Sequence, residues 1–122
     1  MSLTFAGGDK VVPGYNIMGV AKAALDMTVR YLAYDLGPDD IRVNAISPGP
    51  LQTASSVMIE DFSEALNLVA ERSPLMRNVT LEDVAGTAVY LASDLSRNVT
   101  GSVIKVDAGM NIMSPPTIAR RN

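Results

Sequence analysis

The 122 residues contain no cysteine, no histidine and no tryptophan. The missing thiols exclude disulfides and cysteine nucleophiles. The missing imidazoles exclude the usual zinc sites and histidine acid–base chemistry. No apolar run approaches the ~18 residues that a helix needs to cross a bilayer, and the first residues lack the pattern of a secretory leader. Positive charge is scarce as well. Ten Lys and Arg stand against 13 Asp and Glu, a net charge of −3, so nucleic acid is not an expected partner. The expectation is a cytoplasmic protein with no metal and no membrane segment. Two matches to the glycosylation pattern, Asn78-Val79-Thr80 and Asn98-Val99-Thr100, are then read as chance.

What is present suits a soluble α/β domain with a real core: 48% hydrophobic and 19% charged residues. Ser2 to Phe5 reads as the end of a strand. Ala6-Gly7-Gly8-Asp9 is loop. After Pro13-Gly14 a helical pattern runs from Tyr15 to about Leu36, with apolar positions at Ile17, Met18, Ala21, Leu25, Val29 and Leu32. Gly37-Pro38 stops it. Ile41 to Ile46 is a β-branched strand of the kind buried on both faces in parallel sheets. Ser47-Pro48-Gly49-Pro50 then forms a stiff turn at the strand's C-terminal end, where α/β proteins place ligands.

Residues 51–77 are the least regular. A short helix over 55–61 and a second over 62–72 are expected, with Met58, Phe62, Leu66 and Met76 as an adaptable apolar lining. This segment is either a mobile lid or a surface hairpin. Thr80 is an N-cap for the next helix, whose buried stripe is Val84, Ala85, Ala88, Val89, Leu91 and Ala92. Ser102 to Val106 is a third strand, closed by Asp107-Ala108-Gly109, and 114–122 is a tail. Long crossovers between short strands predict a parallel sheet built from right-handed βαβ units. The first strand is expected at an open edge.

One pair on the long helix carries chemistry. Tyr15 and Lys22 are seven residues apart. Seven residues at about 100° each bring them to one helix face, roughly 10 Å apart along the axis. Gly19 leaves a gap between them that a flat cofactor could cross. An ammonium near a phenol favours phenolate and makes the phenol a better donor to a developing oxyanion. The alternative is a half-buried tyrosine and a solvated lysine.

The ordered motifs resolve that choice. Tyr15-Asn16-x-Met18-Gly19-x-Ala21-Lys22, Ile41-Arg42-Val43-Asn44-Ala45-Ile46-Ser47-x-Gly49-Pro50, Thr80-x-Glu82-Asp83-Val84 and Val106-Asp107-x-Gly109 together resemble the enoyl-acyl-carrier-protein reductases. These are divergent short-chain dehydrogenase/reductases in which Tyr and Lys stand seven apart rather than four. That separation argues against a ketoacyl or alcohol reductase of the wider superfamily.

The resemblance implies the C-terminal half of a Rossmann-type, doubly wound parallel sheet: three strands with crossover helices over 1–113, and a substrate-binding lid over 51–77. It implies NADH-dependent reduction of trans-2-enoyl thioesters on acyl carrier protein in type II fatty acid synthesis. Tyr15 would hydrogen-bond the enolate oxygen and Lys22 the nicotinamide ribose. Gly49, Pro50, Leu51 and Thr53 would meet the cofactor, and Phe5, Tyr15, Met18, Met58 and Phe62 the acyl chain. It also implies a homo-oligomer, a tetramer in the family.

Two departures stand out. Phe5 occupies a position where many family members carry a second tyrosine, and Pro48 replaces a small alanine. The glycine-rich phosphate loop has no counterpart, because Gly7-Gly8 lacks the strand–turn–helix setting. An inactive fragment serving as an assembly module is therefore the alternative reading.

Overall fold

In the computed structural model, residues 1–53 and 62–114 are described. The expected helix over 55–61, with Met58, and nearly all of the tail lie outside them. Strands β1 (Ser2–Leu3), β2 (Ala45–Pro48) and β3 (Val103–Val106) form a parallel sheet in the order β1-β2-β3. Helix α1 (Ile17–Leu36) connects β1 to β2. Helices α2 (Phe62–Arg72) and α3 (Leu81–Ala92) precede β3. Ser2 pairs with Ala45, and Ala45 with Val103, so among the described residues β1 and β3 are edge strands, β1 as expected.

Side-chain alternation gives the sheet two faces. Ile46 and Ile104 point to one and form the core with Val84 and Leu91 of α3. Ala45 and Ser47 point to the other and are also buried. Lys105 shares that second face, where it pairs with Asp9 of the turn packed on α1. The helices therefore lie on opposite faces while both crossovers step in the same direction. Two such crossovers have opposite hands, so one of them departs from the expected right-handed rule.

The buried stripes are narrower than their apolar patterns. On α3 only Val84 and Leu91 are buried, with Ala88 half-buried, while Ala85, Val89 and Ala92 face out. On α1 the buried residues are Asp26, Val29 and Ala33, whereas Ile17, Met18 and Leu32 are exposed. Helix α1 ends at Leu36 and turns through the Gly37–Asp39 3-10 segment, as Gly37-Pro38 predicts.

The expected strand over 41–46 is displaced. Ile41 to Val43 lie outside the strands, Asn44 joins β1 only through its carbonyl, which accepts from the Ser2 amide at 3.0 Å, and Pro48 belongs to β2. The main chain there is engaged elsewhere: the Ile41 amide donates to the Leu36 carbonyl at 3.2 Å and the Val43 amide to Thr100 Oγ1 at 3.0 Å, while the Val43 carbonyl accepts from the Gly101 amide at 2.7 Å. The side chains of Arg42 and Asn44 reinforce these ties. The Arg42 guanidinium donates to the carbonyls of Leu91 at 2.9 Å and Val99 at 3.3 Å, and to Ser96 Oγ at 3.0 Å. A cation on the last carbonyls of α3 satisfies groups that the helix leaves open. Asn44, fully enclosed, donates to the Val99 carbonyl at 2.7 Å and accepts from the Ser102 amide at 3.1 Å. These two side chains fasten the turn before β3 to the segment before β2.

Thr80 caps α3, as expected, but within a reciprocal box. Its hydroxyl accepts from the Asp83 amide at 3.2 Å, and the Asp83 carboxylate accepts from the Thr80 amide at 2.9 Å. Hydrogen bonds from the Thr80 backbone and hydroxyl hold the Asp83 carboxyl below its ordinary range, helped by Arg77 and opposed by desolvation.

Two predictions follow from these fastenings. Arg42→Met removes the fork and leaves partly buried carbonyls unsatisfied. We expect a loss of about 2–3 kcal/mol in urea unfolding with little change in slope, and a partial loss for Arg42→Lys. Because the folded-state value of Asp83 is depressed, its contribution is present above the ordinary aspartate range. It is lost as pH falls through the lower folded value. Asp83→Asn should flatten the acid limb of a stability-versus-pH curve, and an unchanged limb would contradict this.

Candidate active site

The phenol–amine pair sits differently from its expected place on one helix. Helix α1 begins at Ile17, so Tyr15 belongs to the turn over 13–16 that precedes it. Asn16 separates the two with φ 45° and ψ −123°, a strained conformation for a residue with a side chain. The turn is nevertheless closed onto the helix. The Met18 amide donates to the Tyr15 carbonyl at 3.0 Å, and the Gly19 amide to the Asn16 carbonyl at 3.0 Å.

Tyr15 and Lys22 both lie against the end of β1 and the segment leaving it. The Tyr15 ring meets Phe5 edge-on, with centroids 5.0 Å apart at 63°. A Cβ at Gly7 would lie 2.5 Å from the Tyr15 ring, and one at Gly8 would lie 3.0 Å from the Lys22 carbonyl carbon. Lys22 Nζ donates to the Leu3 carbonyl at 3.1 Å. Ring and ammonium are thus both anchored on residues 3–8, directly after the C-terminal end of β1. The gap at Gly19 is filled by protein, since a Cβ there would be 2.8 Å from the Gly7 carbonyl oxygen. The groove expected across Gly19 is closed by this turn.

The 3-10 turn over Ala6–Gly8 is held from two further points. Asp9 pairs with Lys105 at the end of β3, and Lys10 Nζ donates to the Asn111 carbonyl at 3.1 Å. Gly7 and Gly8, read from sequence as plain loop, are the residues that permit this docking. Two adjacent glycines just ahead of an Ala-rich helix were the available signal.

The proline-bounded turn follows β2, the parallel neighbour of β1, so it opens on the same edge of the sheet. The Gly49 amide donates to the Val106 carbonyl at 2.8 Å, and a Cβ at Gly49 would lie 3.3 Å from Asp107 Cα. Pro50 is half-buried and Thr53 exposed. Leu51 packs partly against the Ile46, Val84 and Leu91 core and, with Gln52, borders a cleft whose other walls include Leu66, Val79 and Thr80. Phe62 is half-buried as the first residue of α2, and Met18 is exposed.

The C-terminal end of α2 is tied to the turn after β3. The Leu75 amide donates to the Ala108 carbonyl at 3.2 Å, and Pro74 lies against Gly109. Gly109 has φ +83°, and a Cβ there would be 2.7 Å from Pro74, so both backbone and space require glycine. Asp107 shapes the same turn by accepting from the amides of Gly109 at 3.0 Å and Asn111 at 2.8 Å.

The C-terminal edge of the sheet presents a phenol, an ammonium and a turn at the ends of two adjacent parallel strands, the place where such folds take nucleotides. No phosphate loop accompanies it within the 122 residues. Among the described residues no cluster could hold a metal ion, and no helix is long and apolar enough to cross a membrane.

Residues 1–111 match the family model for enoyl-(acyl carrier protein) reductase. The chain is 57% identical over 113 residues to the enoyl-acyl-carrier-protein reductase (NADH) FabI of Rickettsia typhi, covering 93% of this chain and 43% of that protein. It is 53% identical over 118 residues to enoyl-acyl-carrier-protein reductase (NADH) 2 of Rhizobium meliloti, covering 97% and 44%. The Bacillus cereus enoyl-acyl carrier protein reductase, solved with NADP+ and indole naphthyridinone, superposes with a TM-score of 0.90 at 53% identity, over 93% of this chain and 44% of that one. The Anaplasma phagocytophilum enzyme, solved with NAD, gives a TM-score of 0.86 at 46% identity, over 99% and 45%. The chain thus spans less than half the length of these relatives. A parallel sheet of this order, a Tyr–Lys pair seven residues apart and a match over 1–111 make the chain a member of the enoyl-acyl-carrier-protein reductase family.

Proposed function

We propose that this chain forms the nicotinamide and acyl side of an NADH-dependent enoyl reductase acting on trans-2-enoyl thioesters of acyl carrier protein. The observation that carries the reading is the common anchoring of Tyr15 and Lys22 on residues 3–8 at the C-terminal edge of the sheet. When bound, NADH supplies the hydride that reaches the β-carbon of the enoyl group.

The protein's part is positioning and electrostatics. Reduction places negative charge on the thioester oxygen, and the Tyr15 hydroxyl donates to it. Phe5 and Gly7 fix the ring so that little reorganisation is needed as the charge develops. Lys22 exchanges its Leu3 carbonyl for the ribose hydroxyls and keeps the local potential positive. Gly49, Pro50 and Leu51 present backbone groups to the carboxamide, and Thr53 reaches towards the phosphates. Phe5, Met18, Met58 and Phe62 line the acyl path, with 51–77 as the lid. The assembled enzyme is a cytoplasmic homo-oligomer whose partner is acyl carrier protein.

A second reading is supported by one observation, the absence of a glycine-rich phosphate loop from the 122 residues. On that reading these residues alone are inactive and serve as an assembly module.

Both readings are tested with a crotonyl thioester while NADH absorbance is followed. We expect no turnover by the 122 residues alone and turnover when a polypeptide carrying the glycine-rich half is supplied. No turnover in either case favours the assembly module. In the active assembly, Tyr15→Phe should lower kcat by about a hundredfold or more with a small change in KM for NADH. Full activity of that variant would remove Tyr15 from the chemistry.

A further inference from the structure

The turn on which Tyr15 leans has little of its own to hold it in place. Ala6, Gly7 and Gly8 bring no side chain larger than a methyl, and none of the three is buried. Its local bonds are backbone ones. The Gly8 amide donates to the Phe5 carbonyl at 3.0 Å, and the Asp9 and Lys10 amides to the Ala6 carbonyl at 3.0 and 3.1 Å. These close the turn on itself without fixing where it lies on the sheet. Adjacent glycines also have the most backbone freedom to lose. Yet the placement has to be close, because a Cβ at Gly7 would lie 2.5 Å from the Tyr15 ring.

Position comes from the two residues that follow. Asp9 pairs with Lys105, 96 residues away. Lys10 Nζ donates to the Asn111 carbonyl at 3.1 Å, 101 residues away. Lys105 stands in register with Ser47 of β2, so the Asp9–Lys105 pair reaches from the segment after β1 across β2 to the third strand. The landing point at the end of β3 is firm. Asn111 is bonded twice to Asp107, through its amide at 2.8 Å and its side-chain nitrogen at 3.2 Å, and Asp107 is buried.

Exposure decides what such a pair can contribute. The side chains of Lys105 and Asp9 are 24% and 45% exposed, and pairs this open to water add little to global stability. What they can still do is select one position for a segment that is otherwise loosely held. We propose that Asp9 and Lys105 are positioning residues for Tyr15. Their pairing sets where the Gly7–Gly8 turn lies and, through Gly7 and Phe5, where the phenol ring lies. Lys22 depends on the brace less, since its ammonium rests on the carbonyl of Leu3, a residue of β1 itself. The consequence for turnover rests on the reductase reading above, but the consequence for the ring does not.

The test follows the Tyr15 ring by NMR in the full chain with ring-labelled tyrosine, assembled with the glycine-rich half if it needs that half to stay in solution. Tyr15→Phe assigns the signal. Phe5 meets the ring edge-on, so its ring current marks the placement. Asp9→Asn and Lys105→Met should each move the Tyr15 signal towards that of a solvent-exposed tyrosine. The signals of Tyr34 and Tyr90 and the urea midpoint should stay in place. The exchanged pair, Asp9→Lys with Lys105→Asp, should bring the Tyr15 signal back. If a single variant does not fold, the unmutated chain still decides. Sodium chloride at about 1 M screens a pair this exposed and should move the Tyr15 signal in the same direction.

A Tyr15 signal that both single substitutions leave unmoved overturns the inference. So does one that the exchanged pair fails to restore, or that salt leaves in place. In active enzyme the single variants should lower kcat roughly tenfold, short of what an ångström of misplacement costs, and raise KM for NADH by less, with the exchanged pair recovering most of the loss. Turnover with an unmoved ring defeats this inference alone. A ring that moves and returns in an assembly that never turns over defeats the reductase reading alone.

Discussion

The site depends on one close approach: the backbone of Gly7 and Gly8 laid directly on the first turns of α1. A methyl group at Gly7 would enter the Tyr15 ring, and one at Gly8 would meet the backbone at Lys22 and Ala23. Packing at this distance is possible only without side chains. It brings the chain leaving β1 under both reactive groups at once. The Phe5 ring and the Leu3 carbonyl are then delivered to Tyr15 and Lys22 by the same short segment. A phenol and an amine on separate elements are thereby held in relation by a third.

The sheet is organised to leave that edge free. One face is apolar, Ile46 and Ile104 against Val84 and Leu91. The other is small and polar, with Thr4, Ala45 and Ser47 buried. Stability on the first face comes from hydrophobic burial, supplemented by the Arg42 and Asn44 bonds that lock the turn before β3. These fastenings sit at the N-terminal ends of the strands, away from the turns after β1, β2 and β3. The opposite ends are bound by lighter ties: Asp9 to Lys105, Lys10 to Asn111, and Leu75 to Ala108.

Much of this was legible in the residues. The element order, the stop at Gly37-Pro38, the cap at Thr80 and the parallel sheet follow from local rules that tertiary contacts did not override. The errors have particular causes. Tyr15 fits a helical spacing, but the strained backbone at Asn16 takes it out of the helix. Ile41 to Asn44 have strand propensity, yet the main chain of Ile41 and Val43 bonds to Leu36, Thr100 and Gly101 instead. Val89 belongs to an apolar stripe that the sheet is too narrow to cover. Gly7 and Gly8 read as plain loop, because what approaches them lies up to eighteen residues downstream, at Asp26; their adjacency was the only local signal.

The exposed surface of α1 and the two-residue edge strand bear on how the chain works as part of something larger. A helix carrying exposed Ile17, Met18, Val20 and Tyr31 next to an unpaired strand edge leaves more apolar surface in water than a self-sufficient domain does. The chain spans less than half the length of its relatives, so this is surface that the rest of such a protein can cover. The contacts of Tyr15 and Lys22 with Leu3, Phe5 and Gly7–Gly8, by contrast, are made within residues 3–22. The common anchor of Tyr15 and Lys22 is thus short in sequence, and it is braced from the far strand through Asp9 and Lys10.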